Sequence, residues 1–433
     1  MVTETLKNRG LTREAIPVDQ PDLRSRAYEA FEALPVPSQE TEEWRYTDLS
    51  KLDLGSFSPF AAGHKAETLD EVDERILDAV GEVGERAGLL IQHNSETSIA
   101  HLDPALSEQG VVFTSIDSAL RENPSLVEPR LHALIPPDRT KFTALQAAFR
   151  TGGTFVLVPS GVQVEFPLQA LTYLDAAGTV VLPHTILVVE EGASVTFIDR
   201  YVSPDLESAL AVAGIEIFAG PNSQVRYVSL QDWGRGVTHL SVQRAQVERD
   251  AQVRSLAVAF GGDLSRTEVE SILAGPGGHS EMLGVYFTDG SQHFDHRSLQ
   301  EHVAPNCTSD LLYKGALRDA SRVVYSGLIH VAPGAHGTNA FQTNRNVVLS
   351  DEAKADSIPN LEIENNDVRC SHAASVGPVD EDEIFYLQTR GIARDEAERL
   401  IVTGFFQEVL DRVPLEEVRG SLESAITAEL RGK

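Results

Sequence analysis

Five short segments of the chain decide its fold: GASVTFI (192–198), NSQVRYV (222–228), DAQVRSL (250–256), HSEMLGV (279–285) and TSDLLYK (308–314). They align on one apolar residue each, at positions 195, 225, 253, 282 and 311, with spacings of 30, 28, 29 and 29 residues. Each segment is a turn with a small or polar residue, followed by an apolar residue that starts a strand. A fixed period of this size indicates a repeat architecture.

The repeat is too short for most repeat folds. No amphipathic helix fits inside one unit, and a β-propeller blade needs about 40 to 50 residues. Stacked β-coils fit the period better, so we predict a β-helix-like solenoid with one or two rungs per period. A large antiparallel sandwich with evenly spaced turns is the alternative.

The chain divides into three regions by pattern. Residues 1–138 are mixed and helix-rich, residues 139–377 alternate short β-branched runs with Gly, Pro, Asn and Asp, and residues 378–433 return to a helical pattern. A solenoid must cover its ends. We therefore expect the C-terminal helices to form a cap or a docking surface for a partner.

Composition excludes several classes of function. The formal net charge of −29, with seven lysines against 29 arginines, argues against nucleic acid as a partner. The acidic residues are spread along the chain, which predicts a solvated and salt-adapted surface. Two cysteines exclude a disulfide framework and suit a reducing cytoplasm. The N-terminal stretch MVTETLKNRGLTREAIPVDQ (1–20) lacks the apolar core of a signal peptide, and the longest apolar runs are far below the roughly 18 residues of a membrane span.

Common catalytic signatures are absent from the sequence. There is no Walker A motif, so the chain is not expected to bind ATP through a P-loop. A GxSxG elbow, a CxxC pair and an HExxH helix are also missing.

Histidines are concentrated in one part of the chain. Seven of the 13 lie at positions 279, 293, 296, 302, 330, 336 and 372. Stacked coils could bring such residues together, and imidazole with carboxylate suits Zn, Fe or Mn. For His293, His296 and His302 we favour separate backbone hydrogen bonds, because spacings of 3 and 6 place them on no single strand face.

Cys370 and His372 form a different pattern. Two residues apart on a strand, they face the same side with Cα atoms roughly 6.5 Å apart. A thiolate and an imidazole suit Zn or an iron–sulfur cluster, but a stable site needs about four ligands. The pair is either structural, with a buried free thiol, or half of a site that another chain completes. Spacing alone favours the structural interpretation.

Four segments resemble a known family. They are EEWRYTDLSKLDL (42–54), LYKGALRD (312–319), the long block QTNRNVVLSDEAKADSIPNLEIENNDVRCSHAASVGPVDEDEIFYLQTRGI (342–392) and EAERLIVTGFFQEVL (396–410). They resemble the SufB/SufD family of the SUF iron–sulfur cluster assembly system. The segments EEWRYTDL and CSHAASVG resemble its SufD branch in particular.

The resemblance implies a right-handed parallel β-helix core flanked by helical N- and C-terminal regions. It also implies a non-catalytic scaffold that pairs with SufB through the β-helix and with the ATPase SufC through the C-terminal helical region, about Asp380 to Leu430. His372 matches the histidine of the family's Cys-Ser-His motif, a candidate ligand for transient iron or an Fe–S cluster, and Cys370 matches its cysteine.

The first C-terminal helix supplies the partner-binding candidates. Ala397, Ile401, Phe405 and Val409 are four residues apart and predict one apolar helix face. With the resemblance, this face predicts that Ile401, Phe405 and Val409 bind SufC.

Two alternatives remain at this point. A β-helix enzyme acting on polysaccharides could use Asp295 as acid or base with Arg297 beside it. A homodimer could hold metal across its two-fold axis, because two copies of Cys370 and His372 supply four ligands.

Overall fold

The computed structural model describes residues 10–81, 85–413 and 416–431. Their strands are β1 (Gly88–His93), β2 (Glu96–Leu102), β3 (Val112–Ser115), β4 (Thr154–Val158), β5 (Leu168–Tyr173), β6 (Thr179–Val181), β7 (His184–Val189), β8 (Ser194–Val202), β9 (Ala209–Ala219), β10 (Gln224–Asp232), β11 (Val237–Val247), β12 (Gln252–Ala259), β13 (Leu264–Leu273), β14 (His279–Thr288), β15 (His293–His302), β16 (Thr308–Leu317), β17 (Arg322–Val331), β18 (Thr338–Val348), β19 (Lys354–Ile363) and β20 (Val368–Pro378). Their α-helices are α1 (Pro21–Ala33), α2 (Glu74–Val80), α3 (Pro104–Glu108), α4 (Ile116–Glu122), α5 (Pro124–Val127), α6 (Lys141–Phe149), α7 (Glu381–Thr389), α8 (Arg394–Leu410) and α9 (Glu416–Arg431). None of these helices is both long and apolar enough to cross a membrane.

The strands form two sheets that the chain visits alternately. One sheet, called here the β20 sheet, has the order β2-β1-β5-β8-β10-β12-β14-β16-β18-β20, and the other, the β19 sheet, has the order β19-β17-β15-β13-β11-β9-β7-β4-β3 with β6 beside β9. Pairing is parallel except for β1 with β2 and β3 with β4. Each coil therefore adds one strand to each sheet, which confirms the β-solenoid and excludes the antiparallel sandwich.

The predicted repeat register is correct at three of its four steps. Val195 pairs with Val225 and Val225 with Val253, and position 282 pairs with position 311. At the remaining step Val253 pairs with Ser280, so the predicted partner Met282 is wrong by two residues. This coil is shorter because β12 has 8 residues, whereas β14 has 10. A slip of two keeps every side chain on its predicted face, because side chains alternate with period two.

The N-terminal region is continuous with the solenoid. Strands β1, β2 and β3 precede residue 138 yet belong to the two sheets, and α6 packs on the outer face of the β19 sheet against Leu210 and Val212. The region predicted as residues 1–138 therefore does not stand apart from the core.

The segment EEWRYT attaches this region to the middle of the solenoid. The guanidinium of Arg266 lies 3.9 Å from the centre of the Trp44 ring and donates a hydrogen bond to the Glu43 carbonyl. Arg266 and Thr47 both donate to the buried carboxylate of Asp295. A buried cation and anion are tolerated here because each has several partners.

The C-terminal helices lie along the outer face of the β20 sheet. Their buried residues, among them Phe406 and Val409, pack in one cluster with Leu256, Val285 and Leu312 of the sheet. Of the two expected roles, a cap or a docking surface, the cap is therefore wrong. They cover its side and leave its C-terminal end open.

The solenoid interior contains neutral histidines, which predicts a pH effect. Trp233 Nε1 donates to His239 Nδ1 over 3.1 Å, and burial lowers the pKa of His239 to about 3. Below about pH 6.5 the unfolded chain binds a proton that the folded chain does not. The stability that depends on neutral His239 therefore falls as the pH drops from about 6.5 towards 3, by about 1.4 kcal/mol per pH unit.

Urea unfolding at several pH values between 7 and 5 measures this effect. We expect His239→Gln to lose stability less steeply with falling pH than the wild type. The exposed His336 provides the control, since His336→Gln should leave the slope unchanged. Equal slopes in the wild type and His239→Gln would contradict the prediction.

Candidate functional site at the open end of the solenoid

The last coil of the solenoid is half-paired. Among the described residues, β20 pairs with β18 alone and β19 pairs with β17 alone, so each is the terminal strand of its sheet there. The other end differs, because there the sheets finish in β2 and β3, which run antiparallel to their neighbours. The C-terminal end thus presents two rows of unpaired backbone groups.

Cys370 and His372 lie on the interior side of this last coil. In the pairing of β20 with β18, Cys370 is next to Ala340 and His372 is next to Gln342. Both β18 residues are buried inside the solenoid. In a parallel ladder, paired residues face the same way. Cys370 and His372 therefore face the position that a further coil would cover, and the predicted same-side orientation is confirmed.

The two side chains differ in exposure. Cys370 is half-buried and packs with Val368 against a small cluster that includes Ile329 and Ala340, and burial raises the pKa of its thiol. His372 is exposed. The adjacent interior is polar, since both amide atoms of Gln342 lack a hydrogen-bond partner among the described residues. A covering strand or a bound ligand would change the surroundings of all three groups.

Most of the other histidines lie apart from this pair and from one another. On β15, His296 and His302 are buried in the interior, whereas His293 lies on the other face, 3.0 Å from Thr47 Oγ1. His302 Nε2 is 2.8 Å from Ser309 Oγ. Among the described residues the three do not join one cluster of metal-binding groups.

Two groups of candidate ligands were missed by the sequence analysis. Within the described ranges, the structure brings together His330 with Glu362 and Glu364 on the surface, and His132 with His184 and Glu216 buried on the outer face of the β19 sheet. In the first group, His330 lies on β17, Glu362 lies on β19 and Glu364 directly follows β19, next to the open end. Its residues are one coil apart, so the repeat period was the signal that could have found it.

Asp295 is not placed for acid or base chemistry. Its side chain is fully buried, and Arg266 Nη1 and Arg297 Nε donate to it over 2.6 and 2.7 Å. Burial raises its pKa, but the two arginines and the Thr47 hydroxyl outweigh burial and hold the pKa below its ordinary value. A closed ion-pair network without access to solvent does not support the polysaccharide enzyme.

The predicted partner-binding residues of α8 face the chain's own core. Val409 is fully buried, while Ile401 and Phe405 are partly buried against the same cluster. Lys314 Nζ lies 4.8 Å from the centre of the Phe405 ring and donates to the Phe405 carbonyl. The four-residue spacing therefore identified a face that packs on the solenoid, and a role of these three residues in partner binding stays a prediction.

Comparison with known proteins agrees with this architecture. Residues 172–405 match the SUF system FeS cluster assembly SufBD core domain, and residues 11–170 match the SufBD protein N-terminal region. The chain belongs to the SufBD family. Members of this family take part in iron–sulfur cluster assembly, so the Cys370–His372 pair lies at the open end of an assembly protein.

Individual relatives give the same family. The iron–sulfur cluster assembly SufBD family protein of Staphylococcus epidermidis ATCC 12228 is 30% identical over 405 residues, covering 91% of this chain and 86% of the relative. The iron–sulfur cluster assembly protein SufB of Bacillus subtilis is 30% identical over 427 residues, covering 94% and 90%. These names support the family, whereas the assignment to the SufD branch stays a prediction.

The two cysteines should differ in reactivity. Cys307 is fully buried, whereas Cys370 is half-buried at the open end. We expect a maleimide to label Cys370 slowly in the native protein and to leave Cys307 unmodified, with labelling of Cys370 accelerating as the pH rises because the thiolate is the nucleophile. Peptide mass spectrometry after labelling measures both sites, and native labelling of Cys307 at a comparable rate would contradict the placement.

Proposed function

We propose that this chain is the SufD-type scaffold subunit of a SUF assembly complex and performs no bond-making turnover of its own. Its last coil stacks on a SufB-type chain, and its C-terminal helices bind the ATPase SufC. Iron or a nascent cluster is the cargo, held transiently where Cys370 and His372 face the partner. The half-paired last coil is the observation that supports this proposal.

Strand β20 has the properties of a pairing edge. Soluble proteins protect exposed edges with charges, prolines or bulges. Over Val368–Pro378, β20 carries one arginine and no carboxylate, although the chain has a net charge of −29. Its proline stands at the last position, whereas β19 has Pro359 within it. A parallel strand added by the partner would satisfy the free backbone groups of β20.

Ligand count favours a second chain as well. One thiol and one imidazole supply two ligands, and a stable metal or cluster site needs about four. The surface group of His330, Glu362 and Glu364 lies on the β19 sheet and not beside Cys370 in the β20 ladder. A partner coil over the interior face of β20 is the arrangement that brings further ligands to the pair.

An exposed apolar surface marks the proposed contact with the ATPase. Phe385, Tyr386 and Leu400 expose 67%, 57% and 48% of their surfaces on α7 and α8. Because this chain lacks a P-loop, ATP hydrolysis must come from another subunit. The chain passes from β20 to α7 through Val379 and Asp380 alone, so a subunit bound to α7 acts close to the Cys370 strand. We expect the complex to work in the cytoplasm.

The first test concerns the cargo site. We expect His372→Ala to leave the complex with SufB and SufC assembled but to lower its iron and sulfide content after anaerobic co-purification. The content should fall because the variant lacks the imidazole that binds the cargo. His336→Ala, at another exposed histidine, is the matched control and should retain the wild-type content. An unchanged cluster content in His372→Ala would identify the Cys–His pair as structural.

The molar mass in solution, measured by light scattering with and without SufB, distinguishes a second copy of this chain from SufB as the partner. If the chain forms a homodimer that binds metal through Cys370 and His372 and persists in the presence of SufB, the heterologous pairing is wrong. If SufB converts the isolated chain into a one-to-one complex, the proposed pairing holds.

The second test concerns the ATPase contact. Phe385→Asp places a charge on the exposed apolar surface and should weaken SufC binding by at least about tenfold, equivalent to about 1.4 kcal/mol. Phe166→Asp is the control. Phe166 is also exposed, but it lies just before β5 and more than 200 residues from α7 in the sequence. Calorimetric titration of SufC measures both variants, and equal affinities would place the ATPase contact elsewhere.

A further inference from the structure

A buried group of two histidines and one glutamate joins the N-terminal region to the solenoid. His132 lies in the loop between α5 and α6, His184 begins β7, and Glu216 lies within β9. Potential ligand atoms of the three residues all lie within 4.8 Å of one another. His132 exposes 7% of its surface, His184 1% and Glu216 none.

Glu216 already organises the loop that carries His132. It accepts hydrogen bonds from the backbone amides of His132, Leu134 and Ile135. His184 Nε2 lies 2.9 Å from Glu216 Oε1, and Gln146 Nε2 lies 2.8 Å from His184 Nδ1. These contacts alone could make Glu216 a structural anchor, so they do not by themselves indicate a ligand.

His132 supplies the independent observation. Neither of its ring nitrogens makes a hydrogen bond of good geometry within the described residues, although the Ile135 backbone lies nearby. A buried polar group without a partner is costly, and water or an ion commonly satisfies it. The ring of His132 lies 4.8 Å from the ring of His184, centre to centre, so its nitrogens are close to the other two ligands.

We propose that His132, His184 and Glu216 bind one borderline divalent metal ion, Zn²⁺ or Fe²⁺, between the N-terminal region and the outer face of the β19 sheet. Two imidazoles and one carboxylate are a ligand set that both ions accept, with further positions open. The proposal does not depend on the function of the Cys370–His372 pair.

The surrounding hydrogen bonds accommodate the ion with small changes. The ion replaces the hydrogen bond between His184 Nε2 and Glu216 Oε1, and the backbone bonds to Glu216 remain. His184 then carries its proton on Nδ1 and donates it to Gln146 Oε1, which requires only a flip of the Gln146 amide. Gln146 is thus a positioning residue, because it orients His184 without touching the ion.

The charges around the site are also compatible with a cation. Arg150 is the nearby positive charge, and it is paired with Asp117 at 2.9 Å. A partly open cavity lined by Ile135, Gln146 and Gly214 adjoins the site.

The experiment uses the full chain with Cys370→Ser, His372→Ala and His330→Ala, so that neither the open-end pair nor the surface group of His330, Glu362 and Glu364 supplies a competing site. The protein is stripped with a chelator and then titrated under anaerobic conditions with Zn²⁺ or, separately, with Fe²⁺ against a competing chelator. Metal analysis gives the number of ions bound, and thermal unfolding gives the change in Tm. We expect one ion per chain and a higher Tm when the ion is bound, since ligands stabilise the state that binds them.

Two variants test the assigned ligands. His132 has a φ of 59°, a conformation that asparagine tolerates, so His132→Asn removes the imidazole without adding backbone strain. It should abolish stoichiometric binding and the metal-dependent rise in Tm. Gln146→Leu should weaken affinity by about 10- to 100-fold, as expected for an outer-shell partner, while the number of ions bound at saturation stays the same.

His296→Asn is the matched control. His296 is also buried with both ring nitrogens unpartnered within the described residues, but it stacks on Tyr286 and joins no group of metal-binding side chains there. This variant should bind the ion as the parent does. The proposal is overturned if the parent protein binds neither ion stoichiometrically, or if His132→Asn binds with parental affinity.

Discussion

Parallel pairing of each coil with the coil before it is the constraint on which the rest of the structure depends. A strand in the interior of the solenoid has its backbone groups satisfied on both edges and its inward side chains covered by the next coil. The last coil has a neighbour on one side only. Cys370 is partly exposed and His372 is exposed because both face inward on a coil that no described strand covers. The candidate site therefore exists because the stack of coils ends at β19 and β20.

The two ends of the solenoid are finished in different ways. At the N-terminal end the chain reverses direction and closes the sheets with antiparallel strands, and the segment around Trp44 is tied to the middle of the solenoid through Arg266 and Asp295. At the C-terminal end the chain leaves β20 and runs back along the side of its sheet. One end is therefore committed to the folding of the chain itself, and the other is free for a partner.

Much of this architecture could be predicted from the sequence because each coil repeats the same short pattern of a turn followed by an apolar residue. The spacing of the aligned apolar residues gave the parallel stacking, and the two-residue separation of Cys370 and His372 gave their common orientation. The direction in which α8 presents Phe405 and Val409 could not be predicted, because an apolar helix face indicates burial without naming the surface that buries it.

The group around Glu216 shows a second limit of the sequence. His184 and Glu216 are 32 residues apart, which is close to one coil, so the repeat could have linked them. His132 lies in a loop outside the repeat, and its position depends on three backbone hydrogen bonds to Glu216. Contacts of this kind arise only when the tertiary structure is complete.

The short connection between β20 and α7 has a mechanical consequence. Residues 379 and 380 are too few to absorb a displacement of α7, whose Ile384 packs in the same apolar cluster that holds α8 and α9 along several coils. A force that moves α7 therefore reaches the end of β20 directly. Such a force would break the backbone hydrogen bonds between β20 and β18 one after another, starting at the Pro378 end, instead of breaking them all at once. The strand that carries Cys370 and His372 is thus the part of the solenoid that a small displacement can move while the remaining coils stay in place.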